Sequence, residues 1–144
     1  MANVVPDSFK TALLKGTFNF DSSGGSSFNL ALYTNISGLT TSTTAFTTSN
    51  EVSTSGTNYT SGGNALTNNG VAVSSNIAFV DFADLTFSSV TLSAVGALIY
   101  KSSSGNEAVL VLDFGGTKTA TNGDFVVQFP TANSSSAIIR LGDA

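Results

Sequence analysis

The chain has 144 residues and a mass of 14.6 kDa, a size at which a single domain with its own core is expected. Charged residues make up 10%, against roughly 25% in an ordinary globular chain, and Ser, Thr and Asn supply 54 of the 144 residues. The absence of Cys and His excludes disulfides, thiolate nucleophiles, zinc ribbons and Ser-His-Asp triads. A net charge of −4 and the lack of a long apolar run argue against nucleic acid and membrane as partners.

The N-terminal region, residues 1–16, is predicted to form a short arm and one helix. Asp7 or Ser8 is expected at the N-cap, and apolar residues follow at helical spacing from Phe9 onward. Gly16 is expected to end the helix in a left-handed conformation. Because about two turns of helix cannot stand alone in water, this element must dock on the rest of the chain.

After Gly16 the pattern is typical of β-strands separated by turns. The Ser- and Thr-rich residues 35–50 and the Gly-rich residues 56–64 are predicted loops, Asn68–Gly70 a hairpin turn, and 115–123 a turn-rich connection. Gly96 is predicted to mark a bulge or a close backbone contact. The predicted strands are Phe18–Phe20, Phe28–Tyr33, Glu51–Val52, Val71–Val73, Ile77–Phe82, Val90–Tyr100, Ala108–Phe114, Phe125–Phe129 and Ala137–Leu141.

Eight or nine short strands with turn signals between them predict an all-β fold. The expected architecture is an antiparallel two-sheet sandwich over residues 1–144, as a single domain with one short N-terminal helix. At this strand number the jelly roll is the predicted topology.

The acidic residues do not form a catalytic pattern. Glu51 and Glu107 are the only glutamates and neither has an acidic neighbour, so a carbohydrate-active enzyme, which needs two carboxylates across one cleft, is the least favoured function. The stretch Gly115–Lys118 lacks the spacing of a phosphate-binding loop and is interpreted as part of a hairpin. The sequence therefore predicts no enzyme and no cofactor.

A calcium site is the other chemical possibility among the acids. Asp81 and Asp84 could donate oxygens to Ca²⁺, together with Asp113 or Asp124. The alternating ligand pattern of an EF-hand loop is missing, however, and acids at strand ends and turns are the favoured interpretation. No metal ligand is predicted.

A family resemblance extends over residues 8–141. The stretches that carry it are Ser8–Lys10, Leu13–Gly16 with Phe20, Leu30–Thr34, Thr43–Thr48, Glu51–Val52, Tyr59–Gly63 with Ala65–Leu66, Val80–Phe82, Gly96–Tyr100, Val111–Gly115 and Phe129–Pro130. Together they resemble a family of small virion proteins of tailed bacteriophages. The size and β-rich pattern of that family are similar to those of jelly-roll cement, or decoration, proteins of phage heads, an analogy at the level of fold.

The resemblance implies a capsid cement protein on the outer surface of the virion, made in the host cytoplasm, with the major capsid protein as partner. The alternative is a tail- or fibre-associated receptor-binding module, with Tyr59 and its Gly-rich loops as the contact surface. We also expect a dimer or trimer. The apolar runs Ala97–Tyr100 and Ala108–Leu112 offer more β-surface than a lone sandwich of this size is expected to cover.

Residues 22–80 contain a single charge, at Glu51, so isolated apolar residues there are candidates for contact with the shell or with a second copy. The alternative is that these residues fold back onto their own sandwich. The apolar face of the N-terminal helix is a second candidate for contact with the shell. The candidates are Leu39, Phe46 and Tyr59 in the loops, and Phe9, Leu13 and Leu14 in the helix.

Overall fold

Two antiparallel β-sheets and one short helix form the fold over residues 2–143, which our computed structural model describes. The elements are α1 (Asp7–Leu14), β1 (Phe28–Tyr33), β2 (Asn64–Ala65), β3 (Asn68–Ser74), β4 (Ile77–Phe82), β5 (Leu85–Lys101), β6 (Ala108–Val127) and β7 (Ile139–Leu141). The four-stranded sheet has the order β2-β1-β5-β6 and the three-stranded sheet the order β3-β4-β7. The predicted all-β, two-sheet fold with one helix is confirmed, whereas the jelly-roll topology stays a prediction.

Helix α1 begins one residue earlier than the sequence suggested. Its N-cap is Pro6, which makes no side-chain cap, so the prediction of Asp7 or Ser8 at this position is wrong. Instead, the Asp7 carboxylate accepts a hydrogen bond from Lys10 at 2.8 Å, and the Ser8 hydroxyl donates to the Thr43 carbonyl oxygen at 3.0 Å. The fixed φ of proline suits a helix start, which leaves the following side chains free for other bonds.

The C-terminal end of α1 confirms the role predicted for Gly16. This residue has a φ of +77°, and its N–H donates to the Leu13 carbonyl oxygen. The next N–H, that of Thr17, reaches back to Ala12 at 3.0 Å. This pair of bonds forms a Schellman motif, whose left-handed position favours glycine because glycine has no Cβ.

The longest feature of the fold is the β5–β6 hairpin. The prediction of a turn-rich connection at 115–123 is wrong, because this stretch lies inside β6 and pairs with β5, for example Thr119 with Ser93. Strand β5 also starts at Leu85, earlier than predicted. Register shifts interrupt the pairing, and Gly115 adopts a φ of +75° without ending the strand. The glycines therefore produce irregular pairing rather than chain reversal.

Turn chemistry at Asn68–Gly70 is also used inside a strand. This stretch was predicted to be a hairpin turn, but it forms the start of β3, and the pairing with β4 shifts register between Asn68 and Val71. The turn itself lies at Ser75 and Asn76, both with positive φ, as a two-residue type I′ turn requires. The Asn68 amide donates to the Phe20 carbonyl oxygen, so its side chain supports the bulge.

Three other predicted strands differ from the structure. Phe18–Phe20 is irregular chain rather than a strand, and Glu51–Val52 makes a single bridge, between Glu51 and Tyr33. The last strand is shorter than Ala137–Leu141. Phe18 and Phe20 are nevertheless buried, because they belong to an aromatic cluster under α1. Alternating apolar residues therefore marked burial here, and not a strand.

The core has two parts, one on each face of the four-stranded sheet. The larger part lies between this sheet, the three-stranded sheet and α1, and it includes Leu30 and Leu32 of β1. The smaller part lies on the other face, where Ala31 and Tyr33 pack against a covering segment at residues 36–46. Strand β1 is therefore buried on both faces, as its nearly continuous burial shows.

Burial by the chain itself removes the reason given for expecting a dimer or trimer, which was an excess of apolar β-surface. The apolar runs Ala97–Tyr100 and Ala108–Leu112 are buried within the chain itself, so the expectation that they exceed what a single copy can cover is wrong. A dimer or trimer stays a prediction without that argument.

Gly96 illustrates how closely the layers approach, and it provides a test of the packing. The β5–β6 register shifts at this residue, which bears out the predicted bulge. A Cβ here would overlap the Leu112 carbonyl oxygen and lie 2.8 Å from the Ile36 Cγ2. We expect Gly96→Ala to lower the free energy of unfolding by about 1–3 kcal/mol in urea denaturation.

The matched control for this substitution is Gly38→Ala, since a Cβ at Gly38 meets no atom within 4 Å. Its effect should stay within about 0.5 kcal/mol. Equal stabilities for the two variants would contradict the packing described for Gly96.

Candidate functional site

The loop residues that the sequence marked as contact candidates fold back onto the sheet. Leu39 is buried in the smaller part of the core, and the Phe46 ring stacks on Tyr100 at 4.7 Å between centroids. Tyr59 is 3% exposed and packs against Phe87. In the isolated chain these three side chains are therefore anchors, as in the alternative interpretation.

The helix candidates divide between the core and the surface. Phe9 is buried, with its ring 5.0 Å from that of Phe18, and Leu13 is partly buried. Leu14 is 88% exposed. Of the six predicted contact residues, Leu14 is thus the one that presents most of its side chain to solvent.

Glu51 is the centre of a hydrogen-bond network that sequence reasoning did not foresee. Its Oε1 accepts bonds from the Tyr59 hydroxyl at 2.8 Å and the Gly62 N–H at 2.6 Å, and its Oε2 accepts one from Ser61 at 2.7 Å. The Tyr59 hydroxyl also accepts a bond from the Leu32 N–H at 3.0 Å. Glu51 therefore ties the loop after it to strand β1 and is fully engaged in structure.

All three tyrosines of the chain lie around this loop. Tyr33 donates to the Thr47 carbonyl oxygen at 2.6 Å and Tyr100 to that of Gly62 at 2.7 Å. Burial raises the pKa of Tyr33 and of Tyr59 far above the usual value, and the nearby Glu51 charge raises both further. Their hydroxyls accordingly stay protonated and act as hydrogen-bond donors.

The second glutamate has a different environment. The Glu107 Oε2 lies 3.9 Å from the Nζ of Lys101, which is buried, donates to the Thr17 carbonyl oxygen and lies 5.6 Å from the Phe18 ring centroid. This ion pair connects the β5–β6 turn to the segment after α1. Glu51 and Glu107 thus serve separate structural roles, and neither stands opposite the other in a described cleft.

The aspartates considered for calcium binding also lie apart and bond to different parts of the chain. Three of them accept bonds from backbone N–H groups: Asp84 from Phe129, Asp113 from Gly115 and Asp124 from Ser89. Within residues 2–143 no group of three or more Asp, Glu, His or Cys side chains could hold a metal ion. Asp84 lies in the turn between β4 and β5, as the favoured interpretation expects, whereas Asp113 and Asp124 lie inside β6, so that interpretation is wrong for these two.

Asp81 is the exception among the aspartates, because it is buried in β4. One carboxylate oxygen accepts a bond from the Phe82 N–H at 2.8 Å, while the other has no hydrogen-bond partner among the described residues. Burial raises the pKa of Asp81, against the lowering effect of the hydrogen bond from the Phe82 N–H.

An apolar groove lies where α1, β6 and β7 meet. It has a volume of about 620 Å³, within the roughly 300–1,000 Å³ typical of ligand sites. Leu14 and Leu141 line this groove and are largely exposed to solvent. Two cationic side chains, Lys10 and Arg140, also line it. None of the described lining residues is acidic. This groove is the best candidate for a binding site.

Sequence reasoning found only part of the groove. The helix side, Leu13 and Leu14, was among the predicted contacts, but β7 was not. The apolar residues of β7 were visible in the sequence. Their position at a sheet edge depends on pairing with β4, about sixty residues earlier, for which the sequence has no local signal.

Comparisons with known proteins do not identify the chain. No protein-family model, curated protein or solved structure matches it. In the part of the chain that the structure describes, no helix has the length and apolar character needed to cross a membrane.

The Glu51 network predicts energetic coupling between Tyr59 and Glu51. Tyr59→Phe removes the donor to Glu51 and leaves the Leu32 N–H without its partner, so we expect it to lower the free energy of unfolding by about 1–3 kcal/mol. In a double-mutant cycle with Glu51→Gln, urea denaturation should give a coupling of about 0.5–3 kcal/mol.

The control for this cycle is Tyr33→Phe, which loses one hydrogen bond to a carbonyl oxygen and belongs to the smaller part of the core, whereas Tyr59 belongs to the larger part. It should cost about 0.5–1.5 kcal/mol and couple less to Glu51→Gln. Strict additivity of Tyr59→Phe and Glu51→Gln would show that the two side chains act independently.

Asp81 predicts a pH dependence of stability. Its pKa is raised in the folded chain. Below the ordinary pKa of 3.8 the carboxyl is protonated in both the folded and the unfolded chain, so it has no effect on the free energy of unfolding. Between 3.8 and the raised pKa the unfolded chain loses the proton more readily, so folding becomes less favourable as the pH rises. We expect the free energy of unfolding of the native protein to fall over this interval relative to that of Asp81→Asn. Denaturant unfolding of both proteins from pH 3 to pH 7 measures the difference.

The control is Asp21→Asn, which removes one negative charge at an exposed position. Parallel pH curves for the native protein and Asp81→Asn would rule out the proposed effect of burial on Asp81.

Proposed function

We propose that the protein is a phage capsid cement protein that binds the outside of the major capsid shell and stabilises it. The resemblance of residues 8–141 to small virion proteins of tailed bacteriophages supports the phage assignment. The structural observation that favours a binding role is the apolar groove between α1, β6 and β7. Burying Leu14, which is 88% exposed, on a partner would contribute about 1.5–3 kcal/mol.

The character of the remaining surface is consistent with this role. The chain has few charges, so few ion pairs with a shell would be weakened by salt screening. Asp84, Asp113 and Asp124 each accept a hydrogen bond from a different backbone N–H group and do not converge on one cleft. Such a molecule is suited to adhesion without chemistry. The proposal includes self-association on the shell as a dimer or trimer.

The alternative, a tail- or fibre-associated receptor-binding module, has less support. It relied on Tyr59 as a contact residue, and that side chain is covered and bonded to Glu51. A carbohydrate-active enzyme has less support still, since Glu51 already accepts three hydrogen bonds and Glu107 pairs with Lys101.

Copy number per virion distinguishes cement from receptor binding. Quantitative mass spectrometry of purified virions should find the protein in a ratio to the major capsid subunit of the order of one, because a cement protein binds repeated sites over the whole shell. Separated heads and tails serve as the control and should place it on heads. A few copies per particle, or recovery with tails, would contradict the proposal.

A further inference from the structure

Strand β7 has an unpaired edge. It lies at one end of the three-stranded sheet, where it pairs with β4 on one side and with no described strand on the other. Free edges of this kind can accept an additional strand. The position of β7 therefore raises the question of which chain could pair with it.

The free edge of β6 in the other sheet is protected by comparison. The N-terminal arm covers part of it, through a bridge between Val4 and Val111. Further along, register shifts interrupt the strand and Lys118 places a charge on it. Bulges and lysines are devices that prevent unwanted strand pairing. Strand β7 pairs with β4 without a register shift, so its edge is the more suitable for adding a strand.

The apolar groove runs along β7. Five successive residues, 138–142, line it, together with residues of α1 and β6 on the far side. An extended segment placed beside β7 would therefore lie in the groove, with apolar side chains on both flanks. The exposed Leu14, at 88%, and Leu141, at 55%, would become covered.

The register of the small sheet determines which side chains such a segment would meet. Leu141 lies beside Ala78 and Val73, and Ile139 lies beside Val80, so these residues share one apolar face. Arg140 alternates with them and projects from the opposite face, because successive strand residues point to opposite sides. Strand β7 thus presents an apolar, basic, apolar sequence along its edge.

Charge decides between possible occupants. Lys10 is already paired with Asp7, whereas Arg140 donates to the Ser135 carbonyl oxygen and forms no ion pair with a described residue. Pairing two copies through this edge would bring the same basic residue into the interface twice, since a two-fold interface uses one patch on both subunits. A segment with a carboxylate opposite Arg140 would complement it.

We propose that this groove binds an extended segment of a different protein chain, added as a strand to the free edge of β7. The segment carries an acidic residue opposite Arg140, flanked by apolar residues opposite Ile139 and Leu141. Naming the major capsid subunit as the source of this segment rests on the proposed function, whereas the apolar, acidic, apolar pattern rests on the groove alone.

The test uses the isolated full-length protein and fluorescein-labelled five-residue probes. The acidic probe is Thr-Val-Glu-Val-Thr-amide with fluorescein on its N-terminal amine, the basic probe has Lys in place of Glu and carries the label on the same N-terminal amine, and the polar probe has Ser in place of both Val. We expect the acidic probe to bind about tenfold more tightly than the basic probe and the polar probe to bind least. Amide NMR shifts should locate the acidic probe at residues 139–141.

Charge reversal makes the expectation specific. Arg140→Glu, at an exposed position, should invert the preference between the acidic and basic probes. The matched control, Lys118→Glu, makes the same charge change on the edge of β6 and should leave the preference unchanged. Circular dichroism of both variants verifies that they are folded.

Three results would overturn the inference. They are equal binding of the acidic and basic probes, no binding of any probe at millimolar concentration, and a dimer in sedimentation analysis that Leu14→Ser dissociates, which would assign the groove to a second copy. Because the probes require no phage heads, these results are independent of copy number per virion. Failure of the groove proposal and failure of the cement proposal are thereby distinguishable.

Discussion

The Glu51 carboxylate accepts hydrogen bonds from Tyr59, Ser61 and Gly62, and the long irregular segment between β1 and β2 is anchored through these bonds. Thirty residues without a regular strand must still satisfy their backbone polar groups. Glu51 supplies a strong acceptor, since hydrogen bonds to a carboxylate are stronger than hydrogen bonds between neutral groups. With the segment held in place, its first part can cover the outer face of the four-stranded sheet. The smaller part of the core, and the burial of β1 on both faces, depend on that cover.

The unusual composition has a second structural role beyond a solvated surface. Short polar side chains repeatedly accept a bond from the N–H two residues later, which stabilises a turn without a regular element. The pairs are Asn19 with Asp21, Asn35 with Ser37, Thr40 with Ser42, Thr47 with Ser49, Ser53 with Ser55, Thr57 with Tyr59, Asn68 with Gly70 and Asn133 with Ser135. The abundance of Ser, Thr and Asn therefore explains how a chain with few charges orders long loops. The Glu51 network follows the same principle, because one charged side chain accepts three hydrogen bonds from the loop.

What could be predicted from the sequence was mainly local. Alternation marked β1, helical spacing marked α1, and Gly16 and Gly96 were identified because a left-handed turn and a close backbone approach each need a residue without Cβ. Stretches such as 115–123 were misinterpreted because Gly, Thr and Asn report permitted backbone angles and do not report whether a partner strand lies alongside. The groove depends on pairing between β4 and β7, and the Glu51 network on a loop meeting β1, so neither had a local signal.

The charge of Arg140 affects both the pairing of β7 with other copies of the chain and its choice of a different partner. A free strand edge beside an apolar groove exposes a protein to pairing with its own copies, and a chain with five basic residues has few means of preventing this. One of those five occupies the centre of β7, between Ile139 and Leu141. Like charges placed opposite each other disfavour self-pairing, while the same cation favours a strand that carries an acid. A single side chain can thus oppose one partner and select another, and this combination is expected of an edge that must stay free until the correct segment binds.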